Sequence, residues 1–163
     1  MTRAIPVISI VGRSQSGKTT LLEALIPELK RRGYRVATIK HHSHPGIDFD
    51  RPGKDTWRHA QAGSDYVVIA APDKVASIRR VEREPTLNEI VASIDFVDII
   101  LTEGYKETGK HKIEVVRAQR STEPLCAPDE LVALVTDVAV PYPVPRFGLE
   151  DAAGLADLIE TLM

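Results

Sequence analysis

The chain has 163 residues, of which 43% are hydrophobic and 27% charged, enough to bury the core of one domain. Its 21 Lys+Arg against 23 Asp+Glu leave a net charge of −2, which argues against a protein whose main task is gripping a nucleic-acid backbone. A single cysteine, Cys126, excludes a disulfide framework and an all-cysteine metal site, and the apolar runs fall short of the ~20 residues that span a bilayer.

The start, Met1-Thr2-Arg3-Ala4-Ile5-Pro6, passes almost at once into a strand pattern without a secretory leader, so a cytoplasmic protein is expected. Val7 to Val11 is rich in β-branched residues and ends at Gly12, the mark of a buried strand and a turn. From Gly17 the spacing becomes helical, with Leu21, Leu22, Leu25, Ile26 and Leu29 on one side and Gly33 as the stop. Pro27 cannot donate to the carbonyl of Glu23, which predicts a kink or a fresh start there.

Arg35 to Lys40 is a second strand, His41 to Pro52 a polar loop, and Gly53 to Ala62 a short helix. Asp65 to Ala71 and Lys74 to Val81 are strands separated only by Pro72-Asp73, which predicts an antiparallel hairpin at a sheet edge. Thr86 to Ser93 reads as a short capped helix and Phe96 to Thr102 as a central strand. Lys112 to Arg117 and Leu131 to Thr136 are further strands. Pro141 to Pro145 reads as an extended connector, and Leu149 to Leu162 as a closing amphipathic helix. Strands alternating with helices predict an α/β fold: a mostly parallel sheet covered by helices on both faces, with one antiparallel edge hairpin.

Gly12-Arg13-Ser14-Gln15-Ser16-Gly17-Lys18-Thr19 fits G-x-x-x-x-G-K-[ST], after the first strand and at the start of the first long helix. Glycines let the backbone N–H groups of such a loop, here through Ser14, Gln15 and Ser16, turn inward around phosphate oxygens, and the helix N-terminus adds positive potential. Lys18 would supply a point charge between β- and γ-phosphates, and the Thr19 hydroxyl would ligate Mg²⁺.

The polar loop carries His41, His42 and His44, which raise the question of a transition metal. It has no cysteine and no i, i+4 histidine pair, and Asp48, Asp50 and Asp55 are hard oxygen ligands suited to Mg²⁺. The reading preferred over a solvated loop sets it at the carboxyl ends of the strands, with Asp48 or Asp50 reaching the metal directly or through water. The apolar run Val97 to Thr102 ends in Glu103, where P-loop proteins place an acidic residue on the Mg²⁺, while Asp98 stands at the strand's entrance. Asp137 ends the last predicted strand. It could accept guanine N1–H and the 2-amino group together, or simply cap a turn; no N-K-x-D run is present.

The segments GRSQSGKTT, TIKHHSH with IDFDRPGKDT, ILTEGYK, KIEVVR and ALVTD, in this order, resemble the MobB family of molybdopterin-guanine dinucleotide biosynthesis adaptor proteins, from Ile5 to the GLADLI segment. The resemblance implies a single P-loop domain spanning residues 1–163, binding GTP and Mg²⁺, hydrolysing GTP slowly, and forming a homodimer. It implies assistance to the nucleotidyltransferase MobA in attaching GMP to the molybdenum cofactor, and leaves open whether molybdopterin itself is touched. It also implies that Gly12, Ser14, Gly17, Lys18, Thr19 and Thr20 line the phosphates, that Asp48, Asp50 and Glu103 surround Mg²⁺, and that Asp137 lies near the base. Gly109-Lys110-His111 matches no motif.

Two rival functions share the loop. A small-molecule P-loop kinase would need an arginine-bearing lid, and only Ile78 to Arg83 is arginine-dense. An ATP-driven switch of the partitioning type would carry an extra lysine early in the loop, where this chain has Arg13, Ser14, Gln15 and Ser16.

Overall fold

Strands that are apolar on both sides are stable in parallel only when both faces of their sheet are covered. The computed structural model describes residues 4–163, so the expectation placed on Met1 to Arg3 lies outside the described residues. In chain order the elements are β1 (Val7–Val11), α1 (Lys18–Arg31), β2 (Val36–Lys40), α2 (Asp55–Gln61), β3 (Tyr66–Ala71), β4 (Lys74–Arg79), α3 (Leu87–Val91), β5 (Ile99–Glu103), β6 (Lys112–Val116), β7 (Leu131–Thr136), β8 (Arg146–Phe147) and α4 (Ala152–Thr161). Contacts gather them into two compact units: residues up to His41 with Leu87–Met163, and His42–Thr86 inserted between.

The first unit holds a six-stranded sheet in the order β2-β5-β1-β6-β7-β8, each neighbouring pair parallel. Ile8, Ile10, Ile99, Leu101, Ile113 and Val115 form one face and pack on Leu21, Leu25 and Leu29 of α1 and Leu155 and Ile159 of α4. Arg32, after α1, joins the two helices through ion pairs to Asp157 and Glu160, at 2.7 and 2.9 Å. On the other face Ile39 and Ile100 meet Leu87 and Ile90 of α3, and Val11, Val116 and Leu134 meet Cys126 and Val140 from irregular segments. Among the described residues, no helix is long and apolar enough to cross a membrane.

Three expectations change. First, of the kink or fresh start expected at Pro27, the fresh start is absent and α1 runs on through the proline. The bond lost there is to the carbonyl of the exposed Glu23, where water substitutes, while Leu25 and Leu29 hold the helix to the sheet. Second, the hairpin is not an edge of the main sheet. Its strands pair only with each other, Tyr66 opposite Arg79 through Ala71 opposite Lys74. An isolated ribbon is marginal, and its support lies within its own unit. Arg80 donates to the carbonyl of Ala60 at the end of α2 (2.8 Å), and Val67 is buried. Third, the proline-rich connector leads into an extra edge strand, β8, whose Arg146 and Phe147 pair with Leu134 and Val135.

Parallel neighbours usually need a crossover of a dozen or more residues, often a helix. The connection from β5 to β6 uses residues 104–111 alone and runs across β1 on the α3 side of the sheet. There Ser9 and Thr102 are fully buried and hydrogen-bonded to each other at 3.1 Å. Gly109 lies so close that a Cβ on it would stand 2.4 Å from Ser9 Oγ and 2.9 Å from the carbonyl of Tyr105. This assigns the otherwise motif-free Gly109 a packing role.

Gly109→Ala is therefore expected to lower unfolding free energy by about 1–3 kcal/mol, the usual cost of overpacking a tight site. Gly148→Ala, at an exposed glycine with open space around it, should stay within about 0.5 kcal/mol. Urea denaturation of both variants measures the contrast; equal midpoints would contradict the packing account.

Candidate functional site

The loop after β1 owes its path to a glycine. Gly12 has φ +141°, and a Cβ on it would meet the carbonyl oxygen of Val115 at 2.6 Å and Ser16 Oγ at 2.9 Å. The chain can thus leave β1 pressed against β6 only without a side chain there. Arg13 accepts from the Ser16 N–H (3.2 Å), Gln15 takes a left-handed φ of 59°, and Gly17 one of 98°. The N–H of Leu21 then bonds to the carbonyl of Gly17 at 2.9 Å and α1 is under way.

Lys18 reaches back across this turn, its Nζ donating to the carbonyls of Gly12 (3.1 Å) and Arg13 (2.7 Å). Burial holds its ammonium below the ordinary lysine range; the Glu103 carboxylate opposes that shift and the Lys40 ammonium adds to it. A partly desolvated cation held over an inward-turning loop is the arrangement that an anion stabilises. Ser14, Gln15 and Thr20 are exposed on the loop and the first turn of α1, and Ser16 is buried with its hydroxyl unpartnered.

Strand register brings the remaining groups together. Lys40 pairs with Glu103 at the carboxyl ends of β2 and β5, and Ile10 pairs with Glu103 on β1. Alternation sets Glu103 on the same face as Ile99 and Leu101, the face covered by α1, and so opposite Thr19. Thr19 Oγ1 stands 3.1 Å from both Glu103 carboxylate oxygens, and Lys40 Nζ donates to Oε1 at 3.2 Å. Among the described residues, no group of three or more His, Cys, Asp and Glu could hold a metal. A hydroxyl beside one carboxylate nevertheless fits Mg²⁺, which takes one or two protein oxygens and completes its shell with phosphate and water. Asp98 stands at the far end of β5, where Arg35 holds its carboxyl down to about 2, so it plays no part at this end.

The other expected residues make local contacts. Asp48 accepts from the Asp50 N–H (3.1 Å) and from Trp57 Nε1 (3.3 Å), and Asp50 from the Arg51 N–H (2.7 Å), all within the His42–Thr86 unit. His42 and His44 meet edge to face, 5.7 Å between ring centres, while His41 in the first unit stacks on Tyr105 at 4.8 Å. Asp137 Oδ1 accepts from the Ala118 N–H at 2.8 Å, tying the ends of β6 and β7 together.

Two residues were not singled out from the sequence. Lys40 ends its strand as Glu103 ends the adjacent one, a signal visible only once the strand order is known. Arg117 follows β6, with Cδ and Nη1 each 3.4 Å from where a Gly17 Cβ would stand and Nε 4.0 Å from Asp137 Oδ2. It sets a guanidinium against the loop.

Residues 7–137 match the family model for molybdopterin guanine dinucleotide synthesis protein B, MobB. The chain is 40% identical over 163 residues to the molybdopterin-guanine dinucleotide biosynthesis adapter protein of Haemophilus influenzae, covering 98% of this chain and 90% of that protein. Its identity to the Escherichia coli protein of the same name is 34%, over 95% of this chain and 91% of the other. A crystal structure of molybdopterin-guanine biosynthesis protein B superposes with a TM-score of 0.75 at 33% identity, covering 96% of this chain and 99% of that one.

Glu103→Gln keeps the shape and loses the charge. Triphosphate binding in Mg²⁺ should weaken about tenfold, and binding in EDTA much less. Titration under the two conditions reads the difference, and equal losses would detach Glu103 from the metal. Lys18→Ala should weaken binding in both conditions by roughly one to two decades, as loss of a charge-assisted contact does, with an unchanged circular dichroism spectrum.

Proposed function

This chain belongs to the MobB family, and on that premise we propose that it is a GTP-binding adaptor that assists guanylation of the molybdenum cofactor by a MobA-type guanylyltransferase. The observation that carries the nucleotide part is the convergence of Lys18, Thr19 and Glu103 at the carboxyl ends of β1 and β5. In this reading Gly12, Ser14, Gln15, Ser16, Gly17, Lys18, Thr19 and Thr20 receive the phosphates. Thr19 and Glu103 would hold Mg²⁺, which would supply charge neutralisation to the phosphates. Asp48 and Asp50 enter as metal residues on the family resemblance alone. The whole chain works as one nucleotide-binding domain in the cytoplasm, and whether it touches molybdopterin is a question for the assembled complex.

The homodimer draws support from the His42–Thr86 unit. Its two-stranded sheet leaves Tyr66, Val68, Ile69 and Val75 more than half exposed, more apolar surface than a small ribbon usually offers to water. Val68→Asp should shift the sedimentation coefficient to that of a monomer.

The decisive measurement is a titration of GTP against ATP with and without Mg²⁺. A clear, Mg²⁺-dependent preference for GTP is expected; equal affinity would favour the small-molecule kinase. Turnover by the protein alone should be slow, and several turnovers per second would overturn the adaptor reading.

Base selection is assigned to Asp137, whose Oδ1 also accepts from the Ala118 N–H. In Asp137→Asn the retained oxygen can still accept from the Ala118 N–H, while the other position becomes a donor facing the guanine 2-amino group. GTP should lose on the order of 2–4 kcal/mol, and XTP, with a carbonyl at that position, should become the better ligand. Equal weakening of both would assign Asp137 to the strand ends only.

A further inference from the structure

The carboxylate assigned to the metal is already paired with a cation of this chain. Lys40 Nζ lies 3.2 Å from Glu103 Oε1, and the same carboxylate stands 3.1 Å from the Thr19 hydroxyl. The base of the lysine is fixed twice over. Lys40 pairs in register with Glu103, and the next N–H, that of His41, donates to the Glu103 carbonyl at 2.9 Å. Its side chain is free by comparison, 64% exposed against 13% for Glu103. The lysine end of the pair stands in solvent, where screening weakens such a contact.

We propose that Lys40, which contacts Glu103, is a second phosphate-binding cation of this site and takes the terminal phosphate of a bound triphosphate. The inference rests on the nucleotide-binding reading above and deepens it. The reasoning is electrostatic. A divalent cation held by Thr19 and Glu103 would supply positive charge at the carboxylate that the Lys40 ammonium now contacts. The Lys40 ammonium, on a flexible four-carbon stem, would then be drawn to phosphate bound at the loop before Lys18. A diphosphate lacks the third phosphate, to which the second cation is assigned. Lys40 therefore reads whether the third phosphate is present, which a partner-assisting protein needs if it is to act in one nucleotide state only.

The test compares Lys40→Met and Lys40→Arg with the unaltered full-length chain, using fluorescent GDP and a non-hydrolysable fluorescent GTP analogue in Mg²⁺. Lys40→Met should weaken the triphosphate analogue about tenfold and GDP less than about twofold, with an unchanged melting temperature. Lys40→Arg, which keeps the charge, should recover most of the difference. An equal loss for both nucleotides would make Lys40 a general electrostatic contributor and overturn the proposal, as would no loss for either. If the unaltered chain bound neither nucleotide, the nucleotide-binding reading would fall and this inference with it. If it bound both while Lys40→Met matched it, only the role of Lys40 would fall.

Discussion

The Glu103–Thr19 contact joins the sheet to the helix that packs on it, and the site depends on that junction. Its two partners are 84 residues apart in sequence and meet at 3.1 Å because three strands end level with one another. β1 must finish where the loop begins, β5 must lie beside it in parallel, and α1 must sit on the face to which residue 103 points. A one-residue slip of β5 would turn Glu103 towards α3 and present Thr102 to the loop. Register is secured by Ile99, Ile100 and Leu101, all fully buried, alternating between the two faces. The hydrophobic core thus sets the position of a charged group to within a fraction of a strand residue.

That dependence explains what could be read from residues alone. The loop from Gly12 to Thr19 was legible because its chemistry is local: glycine geometry, a lysine and a hydroxyl within eight consecutive positions. Glu103 was legible because an apolar run that ends in a carboxylate carries its own signature. Strand order was not, and with it went Lys40 and Arg117, whose importance arises from neighbours 63 and about a hundred residues away. The hairpin was correctly read as a hairpin and wrongly attached to the main sheet. Its two-residue turn is a local signal, whereas the partner of an outer strand edge is set by tertiary contacts. Pro27 shows the same limit from the other side, since a local helix breaker gave way to the burial of Leu25 and Leu29.

What can change at this site on ligand binding is narrow, and the backbone says why. The N–H of Gly104 donates to the Ile10 carbonyl at 3.1 Å and the carbonyl of Glu103 accepts from His41, so the chain around Glu103 is held from both sides. Further along, Gly109 comes too close to Ser9 to carry a side chain. The degrees of freedom that remain near the carboxylate belong to side chains. Lys18 is bonded to two loop carbonyls that a phosphate would replace, and Lys40 to a carboxylate that a metal would take. On the proposed reading each of these lysines rests on an internal partner that a stronger external charge would displace, so that nucleotide binding would exchange ion contacts over the frame set by the strands. The nucleotide's number of phosphates would then be the quantity to which this end of the sheet responds.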